Sequence, residues 1–142
     1  MLWQSPAIKS RYQVRRTLLA LLRQNMQFGY WKIQVVNRHP VQFKTRHLIP
    51  PLFIITLAFL AIASPFISAA PLALMAILGL YSVFVCVGTL AIGKAEGLKV
   101  AASIPLVLPC YHFGYGYGML RGLWDQSIGR AGTSAGYARL TR

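Results

Sequence analysis

The chain has 142 residues, a length suited to one domain, but 56% are hydrophobic and only 12% are charged, well below the roughly 25% usual in a soluble domain. Its charge is one-sided: fifteen Lys and Arg stand against two carboxylates, Glu96 and Asp125, for a formal net charge of +13. Such a balance calls for an anionic partner. The apolar content favours lipid head groups or a phosphorylated substrate over nucleic acid, which would want a basic face on a soluble fold.

Residues 1–12 show no periodic pattern, and Pro6 opposes a helix through their centre, so they read as an extended lead-in. They do not form a secretory signal, because the charge comes too late and the apolar run is too short. Residues 15–32, RRTLLALLRQNMQFGYWK, are the chain's organising stretch. On a helix over 13–28, Val14, Leu18, Leu21, Leu22 and Phe28 share one side, with Leu19 and Met26 on its flank and Arg16, Arg23 and Gln27 opposite. A basic back and an aromatic end predict a helix lying in a membrane interface, the alternative being an amphipathic helix on a soluble core. Gly29 is expected to interrupt it, and Tyr30-Trp31-Lys32 suits an interfacial aromatic belt. Residues 33–43 contain Val35, Val36 and the breaker Asn37-Arg38-His39-Pro40, and predict a second short interfacial helix ending before Pro40. Lys44, Arg46 and His47 then form a basic collar.

Between His47 and Lys94 no formally charged residue occurs. Residues 49–67 predict a first membrane span, with Pro50-Pro51 at its start, where a missing N–H costs little. Residues 71–92 predict a second, long enough to cross about 30 Å of hydrocarbon. Together they make a transmembrane hairpin. Lys94 and Lys99 in the loop over 93–99 agree with the basic N-terminal region in placing both ends of the hairpin, and the N-terminus, on the cytoplasmic side. Residues 100–120 are apolar but carry Pro105 and Pro109, His112, three tyrosines and three glycines. They read as a third, Pro/Gly-broken helix, either a kinked full span or a re-entrant segment. The tail from Gly129 is small and polar and reads as flexible. The expected fold is an all-α membrane protein in four units: 1–47 the basic lead-in and interfacial helices, 48–93 the hairpin, 94–128 the charged loop and third segment, and 129–142 the tail.

Chemistry is sparse. Glu96 and Asp125 lie in different segments and no carboxylate precedes Glu96, which excludes a carboxylate acid–base pair or divalent-metal site from the first two thirds of the chain. His39, His47 and His112 share no ligand spacing, so no metal site is expected. Cys86 and Cys110 lie in apolar stretches, outside any C-x-x-C pattern, and read as buried small hydrophobes. His112 is a candidate intramembrane polar site, or else a histidine hydrogen-bonded to a neighbouring span. Gly114, Gly118 and Gly122 form two overlapping G-x-x-x-G units, a face expected to pack closely against another helix or against a missing part of a larger protein.

The pattern R-x-T-L-x-x-L-x-R-Q-x-x-x-F-G-Y-W-K, followed by R-H-P and T-R-H-L-I-P-P-L-F, resembles the region after the catalytic domain of bacterial family-2 glycosyltransferases, above all the membrane-attached enzymes of succinoglycan-type exopolysaccharide synthesis. The matching residues are Arg16, Leu18, Leu21, Arg23, Gln24, Phe28, Gly29, Trp31, Lys32, His39, Pro40, Arg46, His47, Pro50 and Pro51. The glycine-rich stretch over 112–118 is similar to that family's C-terminal segment. The resemblance implies the membrane-anchoring, acceptor-side portion of an enzyme that moves a sugar from a nucleotide-sugar to a lipid-linked or polysaccharide acceptor at the bacterial inner membrane. It implies no catalytic residue and no cofactor in this chain, the divalent metal belonging to a separate catalytic domain. Its Q-x-x-R-W-type element corresponds to residues 24–28 or, shifted, to 27–31, and both departures lack the arginine. The residues it nominates for substrate or phosphate binding are Arg23, Gln24, Gln27, Tyr30, Trp31 and Lys32. A non-enzymatic membrane scaffold or assembly subunit is the alternative. Lipids are the expected partner in both readings; a catalytic domain, the nucleotide-sugar and a lipid-linked acceptor join them in the first.

Overall fold

The computed structural model describes residues 17–39 and 44–130. The lead-in, the first turn expected at 13–16 and the tail beyond Arg130 lie outside these. Every regular element among the described residues is helical.

Helix α1 spans Leu18–Arg38. Thr17 caps it, its side-chain oxygen accepting from the Ala20 N–H at 3.2 Å. It stops at His39, whose backbone leaves the helical region (φ −138°, ψ 77°), the residue before a proline being disfavoured in a helix. This corrects two expectations: Gly29 does not interrupt the helix, and residues 33–38 continue it instead of forming a second one. A glycine inside a helix costs about 1 kcal/mol relative to alanine. Here the cost is offset, because Gly29 sits where another helix comes closest.

After a 3₁₀ turn at Thr45–Leu48, helix α2 runs over Ile49–Ala63 and α3 over Ala70–Glu96. The turn between them satisfies its own backbone: the Phe66 and Ile67 N–H groups both donate to the Ala63 carbonyl, and Ala70 N–H donates to Ile67. Thr45–Ala63 and Ala70–Glu96 are both long and apolar enough to cross a membrane. Their side chains point outward. Only 11% of each apolar window is buried, against the mostly buried state of a soluble core helix, and Phe59, Ile62, Phe66, Leu72, Met75 and Leu80 are all well exposed. Ser82 and Thr89 return their hydroxyls to the Leu78 and Val85 carbonyls, and Ser64 to Leu60, so these groups need no water. Cys86 lies on the exposed side of α3 and Cys110 is half-buried, which corrects the expectation that both fill a core.

Gly97, at φ +89°, ends α3, and the single turn α4 (Leu98–Ala101) leads into α5 over Ile104–Ser127. Pro105 occupies the first turn, where no N–H is needed, and Pro109 removes one interior bond without ending the helix. From Ile104 on, the third segment is one helix that neither Pro109 nor its glycines end; its break lies earlier, at Ala102 and Ser103 between α4 and α5.

Helices α1 and α5 form the tightest contact in the structure. An added Cβ on Gly114 would meet the Leu22 carbonyl oxygen and the Asn25 Cβ at 3.0 Å. On Gly118 it would overlap the Met26 backbone, and on Gly122 it would meet the Tyr30 carbonyl oxygen at 2.8 Å. From α1, an added Cβ on Gly29 would overlap the Tyr115 carbonyl and stand 2.8 Å from the Met119 nitrogen. The partners rise together along both helices, so α1 and α5 run parallel. Small residues four apart are what such backbone proximity requires. The partner of the G-x-x-x-G face is thus the chain's own basic helix. The buried side of α1 carries Asn25, Gly29, Tyr30 and Ile33, while Leu18, Leu19 and Phe28 of the expected apolar stripe are exposed. Closeness to the glycine row outweighs side-chain size in choosing the face. Buried Asn25 donates to the Leu21 carbonyl at 2.9 Å.

Gly118→Ala is expected to lower stability by about 1–3 kcal/mol through overpacking, with Gly29→Ala similar. Gly79→Ala on α3, where nothing lies within 4 Å, should be neutral or stabilise the helix by up to about 1 kcal/mol. Thermal unfolding in detergent micelles distinguishes them; equal effects at Gly118 and Gly79 would contradict the close approach.

Candidate functional site

Two polar arrangements sit on α5, about three and a half turns apart. The first closes the C-terminal end of the α1–α5 contact. Tyr30 has no exposed surface, and its hydroxyl donates to Asp125 Oδ2 at 3.1 Å. Asp125 is 2% exposed and faces Arg121, one turn back, with a guanidinium nitrogen 3.1 Å from Oδ1. That contact is an ion pair by distance, whereas Oδ1 has no partner of hydrogen-bond geometry. The distance carries the electrostatics, and Arg121, nearly half exposed, supplies it from the water side. The Asp125 carbonyl further accepts from the Arg130 N–H at 2.7 Å. One of the chain's two carboxylates is therefore committed to fixing α1 on α5.

The second arrangement lies where α2, α3 and α5 meet. Tyr81 of α3 and His112 of α5 share a hydrogen bond of 3.1 Å between the hydroxyl and Nδ1, the donor depending on the imidazole tautomer. His112 is thus bonded to a neighbouring helix, one of its two expected states. Aromatic rings surround the pair: Phe53 lies 5.0 Å from Tyr81, and Phe84 5.8 Å from His112. Ile49, Pro50, Phe53, Tyr81, Phe84 and His112 line an open pocket of about 220 Å³. One turn along α5 from His112, the Tyr115 hydroxyl approaches His47 Nδ1 at 3.4 Å, tying the basic collar to the same helix. Gly116 makes this possible, since a Cβ there would meet the Pro50 carbonyl oxygen at 2.7 Å.

The residues nominated from the sequence are distributed around α1. Arg23 and Trp31 lie on its exposed side, and Gln24, Gln27 and Lys32 are half-buried. Tyr30 is inside, engaged by Asp125, and offers no face to a sugar; Trp31 packs edge-on against it, ring centres 5.5 Å apart. The six residues therefore do not converge on one cleft. Lys32 is instead brought near the collar, where its charge bears on His47 together with those of Arg46 and Lys44. No group of three or more potential metal ligands occurs among the described residues. Sequence reasoning missed Asp125 and Arg121 as a working pair. Their signal was an acid in a chain with only one other, four residues from a cation on a helix. Tyr81 and Phe84 carried no signal, being two aromatics in an apolar run.

No family model, no curated protein and no solved structure matches this chain.

Tyr30→Phe should cost about 1–3 kcal/mol, because it leaves a buried carboxylate oxygen without its donor. Arg23→Gln, on the exposed side of α1, should change stability by less than about 0.5 kcal/mol. Thermal unfolding of both variants checks this; a Tyr30→Phe chain as stable as the parent would show that the buried bond contributes nothing.

Proposed function

We propose that this chain is a non-catalytic membrane anchor whose α2–α3 hairpin crosses a bilayer and holds the basic α1–α5 pair at its cytoplasmic face. The observation that carries this reading is the apolar sheath of α2 and α3. With so little of each apolar window buried in the chain itself, water would solvate a row of Leu, Ile, Val and Phe side chains at about 25 cal/mol per Å². Lipid removes that cost. The lengths suit it: the 27 residues of α3 span roughly 40 Å, enough to cross a hydrocarbon core of about 30 Å with the charged last turn outside it, and the first apolar helix is also long and apolar enough to cross. Lys44 and Arg46 just before α2, Lys94 in the last turn of α3 and Lys99 in α4 lie towards the same end of the hairpin. That supports a cytoplasmic placement of this end by the positive-inside tendency.

Within this reading, the resemblance to the membrane region of family-2 glycosyltransferases assigns the anchor to a sugar-transferring enzyme of the bacterial inner membrane, with catalysis supplied by a separate domain. The carboxylates support the division of labour. Asp125 is sealed into the α1–α5 contact, and Glu96 ends α3 in an exposed position. They cannot act as an acid–base pair. Exposed Arg23, Phe28, Trp31 and Val35 on α1 provide the surface on which a catalytic domain would rest. The same anchor serving as a scaffold subunit would differ only in that partner.

The full chain expressed in a bacterial host should remain in the membrane pellet after alkaline carbonate washing. Recovery in the wash would overturn the bilayer reading. Reconstituted alone into liposomes with nucleotide-sugars and lipid-linked acceptors, it should release no nucleoside diphosphate above background; turnover by the chain alone would overturn its non-catalytic role.

A further inference from the structure

The pocket between α2, α3 and α5 is almost wholly apolar, and its lining begins two residues after His47. Pocket and collar are joined on both sides. On α2, Ile49 and Pro50 line the pocket directly after the turn that bears Arg46 and His47. On α5, His112 lines the pocket and Tyr115, one turn on, holds His47. The charges bearing on His47 are all positive, from Lys32, Arg46 and Lys44, and come from two separate elements, α1 and the 3₁₀ turn. A cluster of cations next to an apolar recess has the two-part chemistry that suits an anionic amphiphile.

We propose that this junction binds one anionic phospholipid of the bilayer, its phosphate held by Lys44, Arg46 and Lys32 and part of one acyl chain lying in the pocket against Phe53, Phe84 and Ile49. The recess has room for about seven groups of water's size, at roughly 30 Å³ each, which suits a run of methylenes and not a whole lipid. Its lining residue Ile49 follows directly on the turn that bears the collar, so a lipid held there by its head group would leave the rest of its chains in the surrounding bilayer. The bound lipid would join the hairpin to α1 through Lys32, fixing the cationic helix where the hairpin leaves the membrane. This rests on the bilayer reading above.

The test is native mass spectrometry of the full chain in detergent micelles, offered phosphatidylglycerol or phosphatidylcholine with matched acyl chains, or inorganic phosphate. The parent should retain one phosphatidylglycerol about tenfold more than phosphatidylcholine, as expected for two or more cations near one head group. Lys44→Gln with Arg46→Gln should abolish that preference, and Ile49→Trp, which fills the recess, should lower retention of both lipids. Inorganic phosphate should not displace the lipid. Equal retention of the two lipids by the parent, a preference that survives the double substitution, or displacement by free phosphate would each overturn the inference. All three substitutions leave the hairpin's apolar sheath intact, so carbonate washing of the same variants reports insertion separately. A chain that stays in the membrane without lipid preference refutes the lipid site alone.

Discussion

The α1–α5 contact depends on the absence of four side chains. At Gly29, Gly114, Gly118 and Gly122 the two helix backbones come within van der Waals range, and no larger residue fits without separating them. Helices this close exchange dispersion over backbone atoms and gain weak Cα–H to carbonyl contacts, neither of which relies on excluding water. That is the kind of association available beside or within lipid, where burying a leucine gains little. The glycines of α5 also set the other contact on this helix, since Gly116 lets the start of α2 cross on a different face. Helix α5 is consequently the element on which the basic helix, the collar and both apolar helices are assembled.

Polar groups at the two ends of this assembly lock what glycine alone leaves free. A row of glycines permits sliding by one turn, because each four-residue step looks like the last. The Tyr30–Asp125 bond removes that freedom, as a slip of one turn would leave a buried carboxylate without its donor. At the collar, Tyr115 fixes His47, and deeper in the hairpin Tyr81 fixes His112. In each case a tyrosine bridges two helices, its ring adding apolar contact and its hydroxyl specifying register.

Much of this was legible in the sequence. The charge-free stretch between His47 and Lys94 and the prolines at its start gave two apolar helices with bounds close to those observed, because length and hydropathy are local properties. The G-x-x-x-G face of α5 was visible for the same reason. Its partner was not. Gly29, read by itself, looked like a helix break, and only the opposing glycine row turns it into the centre of a contact. The apolar stripe through Leu18 and Phe28 was a real periodicity, yet the face actually buried is the one that carries the glycine and Tyr30. The nominated ligand residues suffered from the same gap. Tyr30 belongs to the interior because Asp125, ninety-five residues away, meets it there, and no local pattern encodes that distance.

The parallel pairing of α1 with α5 is the claim on which the placement of the basic surface depends, and a spin-label distance measurement tests it directly. With Cys86 and Cys110 replaced by serine, nitroxides are attached at Val35 and Ser127, and in a second sample at Leu19 and Ser127. Parallel helices in the observed register put the first pair side by side and the second roughly 24 Å further along the axis, from sixteen residues at 1.5 Å each. A clearly shorter distance for the Val35 pair is the expected result. Equal distances, or the shorter one at Leu19, would contradict the arrangement.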